Sequence, residues 1–459
     1  MINVFSHWIS WKTVLQVIMD IVFPVACVML AVSVWGGDGA GMMANLKTII
    51  ICSVVYALIM VVFNYWLGLY DRMAKRRRGR AVLSIYLSIP IAYCVFAVFS
   101  VLSDQEQFLI LSCLAALFGT LLYRIYTIYS RTGRFFLSRV LIFGVGPNAK
   151  TVGHLLKKMG SDAEIVGFYP ETSESKAVVS RHLQLPNSRS LSDTAAELNV
   201  DEIVVAVQER RGGVMPMRDL LDCKLAGVDV IDLASYYERV LGQIKLDSLK
   251  AGWLIFGDGF RQGLVRGFIK RVFDILASSI LLLVASPVML VTALLIVIED
   301  GFPIFYTQER VGLNGRSFNV VKFRSMRRDA ESDGKPRWAK SNDDRITRVG
   351  RIIRKLRIDE LPQIFSVFKG DMSLVGPRPE RPYFVDKLTQ DIPFYTVRHS
   401  VKPGVTGWAQ VSYAYGASVD DAVQKLQYDL YYVKNHSLFL DIVILFETIG
   451  VVLTGKGAQ

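Results

Sequence analysis

The densest set of chemically capable residues lies in the last third of the sequence, where Arg357-Ile358-Asp359-Glu360-Leu361-Pro362-Gln363 sets two carboxylates side by side after a basic run. Proline is tolerated in the first turn of a helix, so the pair is expected just ahead of a helix start. On their own, two carboxylates beside arginines can be helix-capping and ion-pair partners and nothing more. Their company adds a second reading. Val321-Lys322-Phe323-Arg324-Ser325-Met326 and Ser373-Leu374-Val375-Gly376-Pro377-Arg378-Pro379-Glu380 each mount cations on a rigid or apolar frame, and the planar guanidinium fork suits phosphate oxygens. A carboxylate crowded by cations is expected to have a lowered pKa and to stay ionised, which permits metal binding or nucleophilic attack.

The chain that must position these groups has 459 residues, 53 Lys+Arg against 41 Asp+Glu, a net charge of +12 and 52% hydrophobic residues. Mean hydropathy is +0.34. A soluble nucleic-acid binder is normally basic and polar, and a disordered chain is not this apolar, so both classes are disfavoured and no nucleic-acid partner is expected. The five cysteines (Cys27, Cys52, Cys94, Cys113, Cys223) are odd in number and widely spaced, which suggests neither a disulfide framework nor a zinc site.

Four stretches, at about 13–35, 48–69, 81–102 and 108–129, are long and apolar enough to cross a bilayer. The first lacks a basic n-region and cleavage site and contains Asp20 and Pro24, so a retained helix is expected. Arg72, Lys75, Arg76, Arg77, Arg78 and Arg80 fall between the second and third stretches, whereas Gly36-Gly37-Asp38 and Asp104-Gln105-Glu106 occupy the other two loops. The bias of Lys and Arg toward the cytoplasm puts the basic loop inside, and Arg131, Arg134 and Arg139 agree. Residues 1–135 are therefore expected to form a four-span transmembrane unit.

Residues 139–262 alternate strand and helix patterns: Arg139–Val145, Glu164–Tyr169, Glu202–Val207 and Val228–Leu233 as strands, with Ala149–Met159, Thr194–Leu198 and Met217–Ala226 as helical stretches. The alternation predicts a small Rossmann-like parallel α/β domain. Gly144-Val145-Gly146-Pro147-Asn148-Ala149 fits a glycine-rich turn opening a helix, which makes Gly144 and Gly146 nucleotide-turn candidates. Glycines also serve such a turn without any ligand, and no convincing acidic ribose partner ends the second strand.

The third region, 266–459, opens on a fifth apolar stretch, Val272 to Ile298, interrupted by Ser286-Pro287. A full crossing would carry the many following arginines and lysines to the outside. Proline kinks a helix interior, and a preceding serine can satisfy freed backbone groups. A re-entrant helical hairpin over 272–298 that dips into one leaflet is therefore expected. Ile346, Val349, Ile352, Ile353 and Leu356 recur at helical spacing among basic residues, as in a helix lying in anionic headgroups. Leu438 to Leu453 is apolar but contains Asp441 and Glu447, and it is read as an interfacial helix. Gly257-Asp258-Gly259 to Gly267 is the linker candidate.

Lys322-Phe323-Arg324-Ser325-Met326, Asp359-Glu360-Leu361-Pro362-Gln363, Lys369-Gly370-Asp371-Met372-Ser373-Leu374-Val375-Gly376-Pro377-Arg378-Pro379 and Lys402-Pro403-Gly404-Val405-Thr406-Gly407-Trp408-Ala409-Gln410-Val411 together resemble the bacterial sugar transferase family. Its members are polyprenyl-phosphate sugar-1-phosphate transferases, the monotopic phosphoglycosyl transferases, and the four-span unit and α/β domain ahead of the motifs resemble the long members. The resemblance implies a mainly α catalytic domain over 266–459 with the re-entrant hairpin and interfacial helices. It implies as substrates a UDP-sugar, UDP-glucose by default, and undecaprenyl phosphate, with release of UMP and initiation of exopolysaccharide or O-antigen synthesis. It also implies Asp359 as nucleophile, a covalent aspartyl phosphosugar, and Glu360 holding Mg²⁺. Arg354 and Arg378 match family positions that meet phosphate or nucleotide, and Lys322 and Arg324 are expected partners. Attack by an ionised phosphate needs no general base, so His399 is expected to be structural. The implied location is a bacterial inner membrane, multi-pass, with the catalytic domain on the cytoplasmic face, and the number of helices leaves room for a homodimer.

Two rivals remain. A membrane-anchored NAD-dependent sugar-nucleotide dehydratase would need a Tyr-x-x-x-Lys after a second glycine-rich turn, and none is placed that way. A non-catalytic scaffold of polysaccharide assembly sits poorly with the complete Asp359-Glu360 pair.

Overall fold

The computed structural model describes residues 2–4, 7–9, 11–35, 39–67, 69–70, 77–103, 106–129, 138–159, 163–171, 178–207, 215–246, 260, 263–327, 345–413, 416 and 418–454. The loop residues used for membrane orientation, Gly36 to Asp38, Arg72 to Arg76, Asp104, Gln105, Arg131 and Arg134, lie outside these, as does the linker start Gly257-Asp258-Gly259. The chain divides into two compact units, one mostly residues 9–236 and one mostly 237–459.

In the first unit the apolar stretches become four helices, α1 (Trp11–Trp35), α2 (Gly39–Trp66), α3 (Arg77–Ser103) and α4 (Glu106–Tyr129). Each packs on its chain neighbours and α4 closes against α1, the up-down arrangement that short connections impose. Gly119 lets α4 lie on α1, since a Cβ there would stand 2.9 Å from the Phe23 carbonyl oxygen. Val28, Tyr56, Met60, Ala92, Phe96 and Ala116 fill the bundle interior, while Leu30, Val34, Tyr86 and Ile110 point outward. Three of these helices contain stretches apolar and long enough to cross a membrane, and the described apolar part of the fourth, Ile110–Tyr126, is slightly shorter.

The expected strand and helix alternation follows. Strands β1 (Ser138–Phe143), β2 (Ala163–Tyr169), β3 (Glu202–Val205) and β4 (Asp229–Asp232) form a parallel sheet in the order β2-β1-β3-β4. Helices α5 (Pro147–Met159), α6 (Leu191–Glu197) and α7 (Met217–Leu225) connect them. Alternate residues Leu141, Phe143, Ile203 and Val205 are buried with α6 and α7 residues in one core. Helix α8 (Leu233–Leu241) follows β4 directly.

The second unit begins at Tyr237, so the C-terminal part of α8 and residues 242–246 belong to it. Buried Glu238 accepts from Lys434 Nζ at 2.7 Å and Asn435 Nδ2 at 2.9 Å, and Trp408 Nε1 donates to the Gly242 carbonyl at 2.7 Å.

Helix α9 (Leu264–Asp300) is the longest element. Its backbone stays helical through Ser286 and Pro287, so the expected break is a proline inside one helix and not an interruption of it. Pro287 cannot donate to the Leu283 carbonyl. Ser286 Oγ donates to that carbonyl at 2.9 Å and fills the vacancy. Near its start, Arg271 donates to the Val367 and Phe368 carbonyls, and Asp274 accepts from Ser373 Oγ and Leu374 N. Near its end, Glu299 accepts from the Arg348 and Val349 backbone N–H groups. Both flanks of the proline are thus tied to the same unit.

A β-hairpin, β5 (Phe305–Val311) with β6 (Ser317–Phe323), follows α9, then α10 (Arg348–Lys355), a 3₁₀ segment Ile358–Gln363, α11 (Ile364–Lys369) and β7 (Ser373–Val375). Helix α12 (Pro382–Asp391), a 3₁₀ turn Tyr395–Ser400, β8 (Gly404–Thr406) parallel to β7, and α13 (Trp408–Ser412) lead to α14 (Val419–Asn435) and α15 (Leu438–Thr454). The core contains Val320, Val367, Leu374, Leu430, Tyr431 and Ile444. The apolar stripe expected along α10 is divided: Val349 and Ile353 pack against Ile296 and Phe323, while Ile352 and Leu356 stay exposed. Asp441, taken from sequence as a mark of an interfacial helix, is instead buried and holds Lys270 Nζ and Tyr432 Oη, each at 2.7 Å.

Candidate active site

The carboxylate pair is delivered by a sharp change of direction. Helix α10 closes at Leu356, and Arg357 adopts a left-handed backbone (φ 59°) that starts the 3₁₀ segment carrying Asp359 and Glu360. A non-glycine residue in that conformation costs on the order of 1 kcal/mol or more. Its side chain offsets this by facing the pair, with Arg357 Nη1 3.9 Å from Glu360 Oε1. From β6, strand alternation puts Lys322 on the side of Phe318 and Val320, and its Nζ reaches Glu360 Oε1 at 3.1 Å. Beyond β7, Arg378 takes Glu360 in a fork, Nη2 to Oε1 at 2.5 Å and Nη1 to Oε2 at 3.2 Å.

The two adjacent carboxylates therefore have opposite fates. Burial alone would raise Glu360, but Arg378, Lys322 and Arg357 hold it well below the usual carboxylate range. Asp359 goes the other way. Burial first, and then the charge of Glu360, push it up to about 6 despite Lys322, Arg354 and Arg378. The lowered pKa expected for the nucleophile thus belongs to its neighbour, because one carboxylate intercepts the cations. Asp359 Oδ1 is buried and has no hydrogen-bond partner among the described residues.

Of the other sequence candidates, Arg354 sits in the last turn of α10, its charge acts on Asp359, and it makes no ion pair among the described residues. Arg324 is not brought to the pair. The strand ends at Phe323, and the buried Arg324 guanidinium donates to the Asp300 and Gly301 carbonyls at 3.0 and 2.7 Å and pairs with Asp300 at 3.1 Å, which fastens the end of α9. His399 packs edge-on against Tyr395, and burial, then Arg398, lower it to about 4, so it is neutral at pH 7. Gly144 and Gly146 belong to the other unit. Gly144 needs its φ of +120° for the strand-to-helix turn, whereas a Cβ on Gly146 would meet nothing within 4 Å. Glu171, two residues past β2, lies against Gly144, an acidic neighbour that sequence reading did not find.

Among the described residues no group of three or more His, Cys, Asp or Glu could hold a metal. Magnesium needs only one or two carboxylates when substrate phosphates complete its shell. The unpaired Oδ1 of Asp359 and the Glu360 carboxylate are oxygen donors of that kind, so the residues fit such an ion arriving with a diphosphate. Sequence reading missed Arg357 as a site residue, although its adjacency to the pair was a signal. It also missed Arg398 and Asp429, a buried ion pair at 2.7 Å behind Arg378, whose separation by 31 residues left no local pattern to find.

The family model described as bacterial sugar transferase matches residues 265–455. The chain is 48% identical over 242 residues to the UDP-N-acetylgalactosamine-undecaprenyl-phosphate N-acetylgalactosaminephosphotransferase of Aeromonas hydrophila, covering 53% of this chain and 56% of that protein. It is 45% identical over 185 residues to the undecaprenyl-phosphate glucose phosphotransferase of Komagataeibacter xylinus, covering 39% of this chain and 35% of that protein. The matched part is thus about half the length of the first relative and about a third of the second. Against the Bacillus subtilis (strain 168) protein named uncharacterized sugar transferase EpsL, identity is 42% over 195 residues, covering 42% of this chain and 90% of that protein. By this family match and these relatives, the chain belongs to the bacterial sugar transferase family.

Proposed function

We propose that this protein transfers a sugar 1-phosphate from a UDP-sugar to undecaprenyl phosphate and releases UMP. The observation that carries the reading is the unequal pair: Glu360 gathers the cations, and Asp359 keeps a buried oxygen with no donor on it. An ionised Asp359 attacks the β-phosphorus of the UDP-sugar, the bond from that phosphorus to the bridging oxygen breaks, and UMP leaves. A phosphate oxygen of the lipid then attacks the same phosphorus and the aspartyl bond breaks. Two anionic substrates repel each other, and splitting the transfer into two displacements lets each meet the cations separately. Lys322, Arg378 and Arg354 bind and orient the phosphates, and burial keeps Asp359 poorly solvated. Magnesium held by Glu360 would neutralise diphosphate charge during the transfer.

The helix α9 reading follows from the same chemistry, since the lipid phosphate lies at a membrane surface. A straight helix of this length would run roughly 55 Å, yet both its flanks are tied to one unit, and the residues just before Pro287 are among the most exposed, Leu283 at 77% and Val284 at 71%. Entry into one leaflet and return, with the site on the cytoplasmic face of a bacterial inner membrane, accounts for both. The sugar is a hexose or N-acetylhexosamine. The longer match to the N-acetylgalactosamine enzyme puts UDP-N-acetylgalactosamine beside UDP-glucose at the head of the donors to test.

The experiment is UMP release by the purified full chain from a panel of UDP-sugars with undecaprenyl phosphate and Mg²⁺. Release by wild type and its loss in Asp359→Asn are expected. Release that Asp359→Asn leaves unchanged would sink the reading.

A further inference from the structure

Residues 377–380 contain two prolines, which cannot donate backbone hydrogen bonds, yet every carbonyl in the segment is held. The Gly404 N–H of β8 donates to Pro377 O at 3.0 Å, Arg398 Nη2 to Arg378 O at 2.8 Å, Arg310 Nη1 to Pro379 O at 3.1 Å, and the Val311 N–H to Glu380 O at 2.9 Å. Three elements, β8, the 395–400 turn and β5, thus fix the backbone from which Arg378 reaches Glu360. The two arginines in this cradle differ. Arg310 spreads its donors over Pro379, Glu380 and Gln308. Arg398 is 6% exposed and is itself clamped: Asp429 of α14 pairs with it at 2.7 Å, and it donates to Tyr395 Oη at 2.7 Å while lying 5.2 Å from the centre of that ring.

We propose that Arg398, held by Asp429, is a positioning residue for the transfer: by fixing the Arg378 carbonyl it aims the Arg378 guanidinium at Glu360 and at the incoming substrate phosphate. This rests on the transferase reading above. A guanidinium has enough N–H groups to satisfy the carboxylate and the carbonyl together, whereas a lysine keeps the charge but not the planar fork. A purely structural Arg398 would only join α14 to the 395–400 turn.

The test uses the full chain in lipid nanodiscs, with rates divided by the folded fraction. For Arg398→Lys, kcat/KM for UMP release falls tenfold or more and the acid limb of the pH profile moves to higher pH, because Arg378 no longer holds the charge of the pair. Arg398→Gln, which cannot pair with Asp429, falls further. A kcat/KM within twofold of wild type in Arg398→Lys, a loss accounted for by unfolding alone with an unmoved acid limb, or a glutamine variant as active as the lysine one overturns the proposal. Calorimetric UDP binding separates this from the parent reading. If wild type releases no UMP, the transferase reading fails, and the binding arm still decides Arg398: tenfold weaker UDP binding in Arg398→Lys supports the role, and equal binding overturns it.

Discussion

Two buried charge clusters in this molecule each set aspartate beside arginine, to different ends. In the helical bundle, Asp20 of α1 meets Arg124 of α4 at 2.7 Å, Tyr70 and Asn64 from α2 and the turn after it add donors to the same carboxylate, and Ser84 of α3 donates to Asn64. One acid answers one base and every helix contributes. In the site of the second unit, two acids face Lys322, Arg354, Arg357 and Arg378, and one carboxylate oxygen is left without a donor. A balanced cluster pairs its charges and specifies how its elements meet. The unbalanced one leaves a buried acceptor, Asp359 Oδ1, with no donor among the described residues, and an unpaired buried acceptor carries a cost.

The contrast can be broken at either end. The largest effect is expected at Asp359→Asn, which removes the proposed nucleophile: UMP release should fall at least about 10³-fold with the protein still folded. Arg378→Ala removes the fork that holds Glu360 and is expected to lower kcat about 10²-fold, measured by the same release. Next comes pH. On the proposed mechanism only ionised Asp359 attacks, and its pKa is raised to about 6, so activity should be level above that pH and fall up to about tenfold per pH unit below it. An acid limb near 4 would mean that Asp359 is not held as described. The smallest effect on turnover is expected at Asp20→Asn. Stranding Arg124 should destabilise the bundle by about 3–5 kcal/mol, seen as a lower thermal midpoint. UMP release per folded molecule should stay within about twofold of wild type, and a tenfold fall would erase the distinction between the clusters.

Much of this was legible in the chain. The four apolar stretches read before residue 130 fell on four helices, three of them long and apolar enough to span a bilayer, because length and hydropathy are local properties. The α/β alternation held for the same reason, and β2-β1-β3-β4 came out parallel. At Ser286-Pro287 the sequence indicated where a helix loses a hydrogen bond and which hydroxyl could replace it, but not that the backbone would stay helical. Lys322 and Arg324 show where such reading ends. They are two residues apart and chemically alike, yet one reaches Glu360 and the other fastens the end of α9, because β6 stops between them.

The sequence by itself determined the elements, the family motifs and the presence of an acidic pair among cations, since these depend on neighbours along the chain. Which acid is held by the cations and which keeps an oxygen without a donor was decided only in three dimensions. Glu360 and Asp359 are adjacent and nearly identical in chemistry, and their divergence follows from distances of a few ångströms to Lys322 and Arg378, groups 38 and 18 residues away. Electrostatic interactions inside a protein depend on separation in space and on burial, and neither quantity is written in the order of residues.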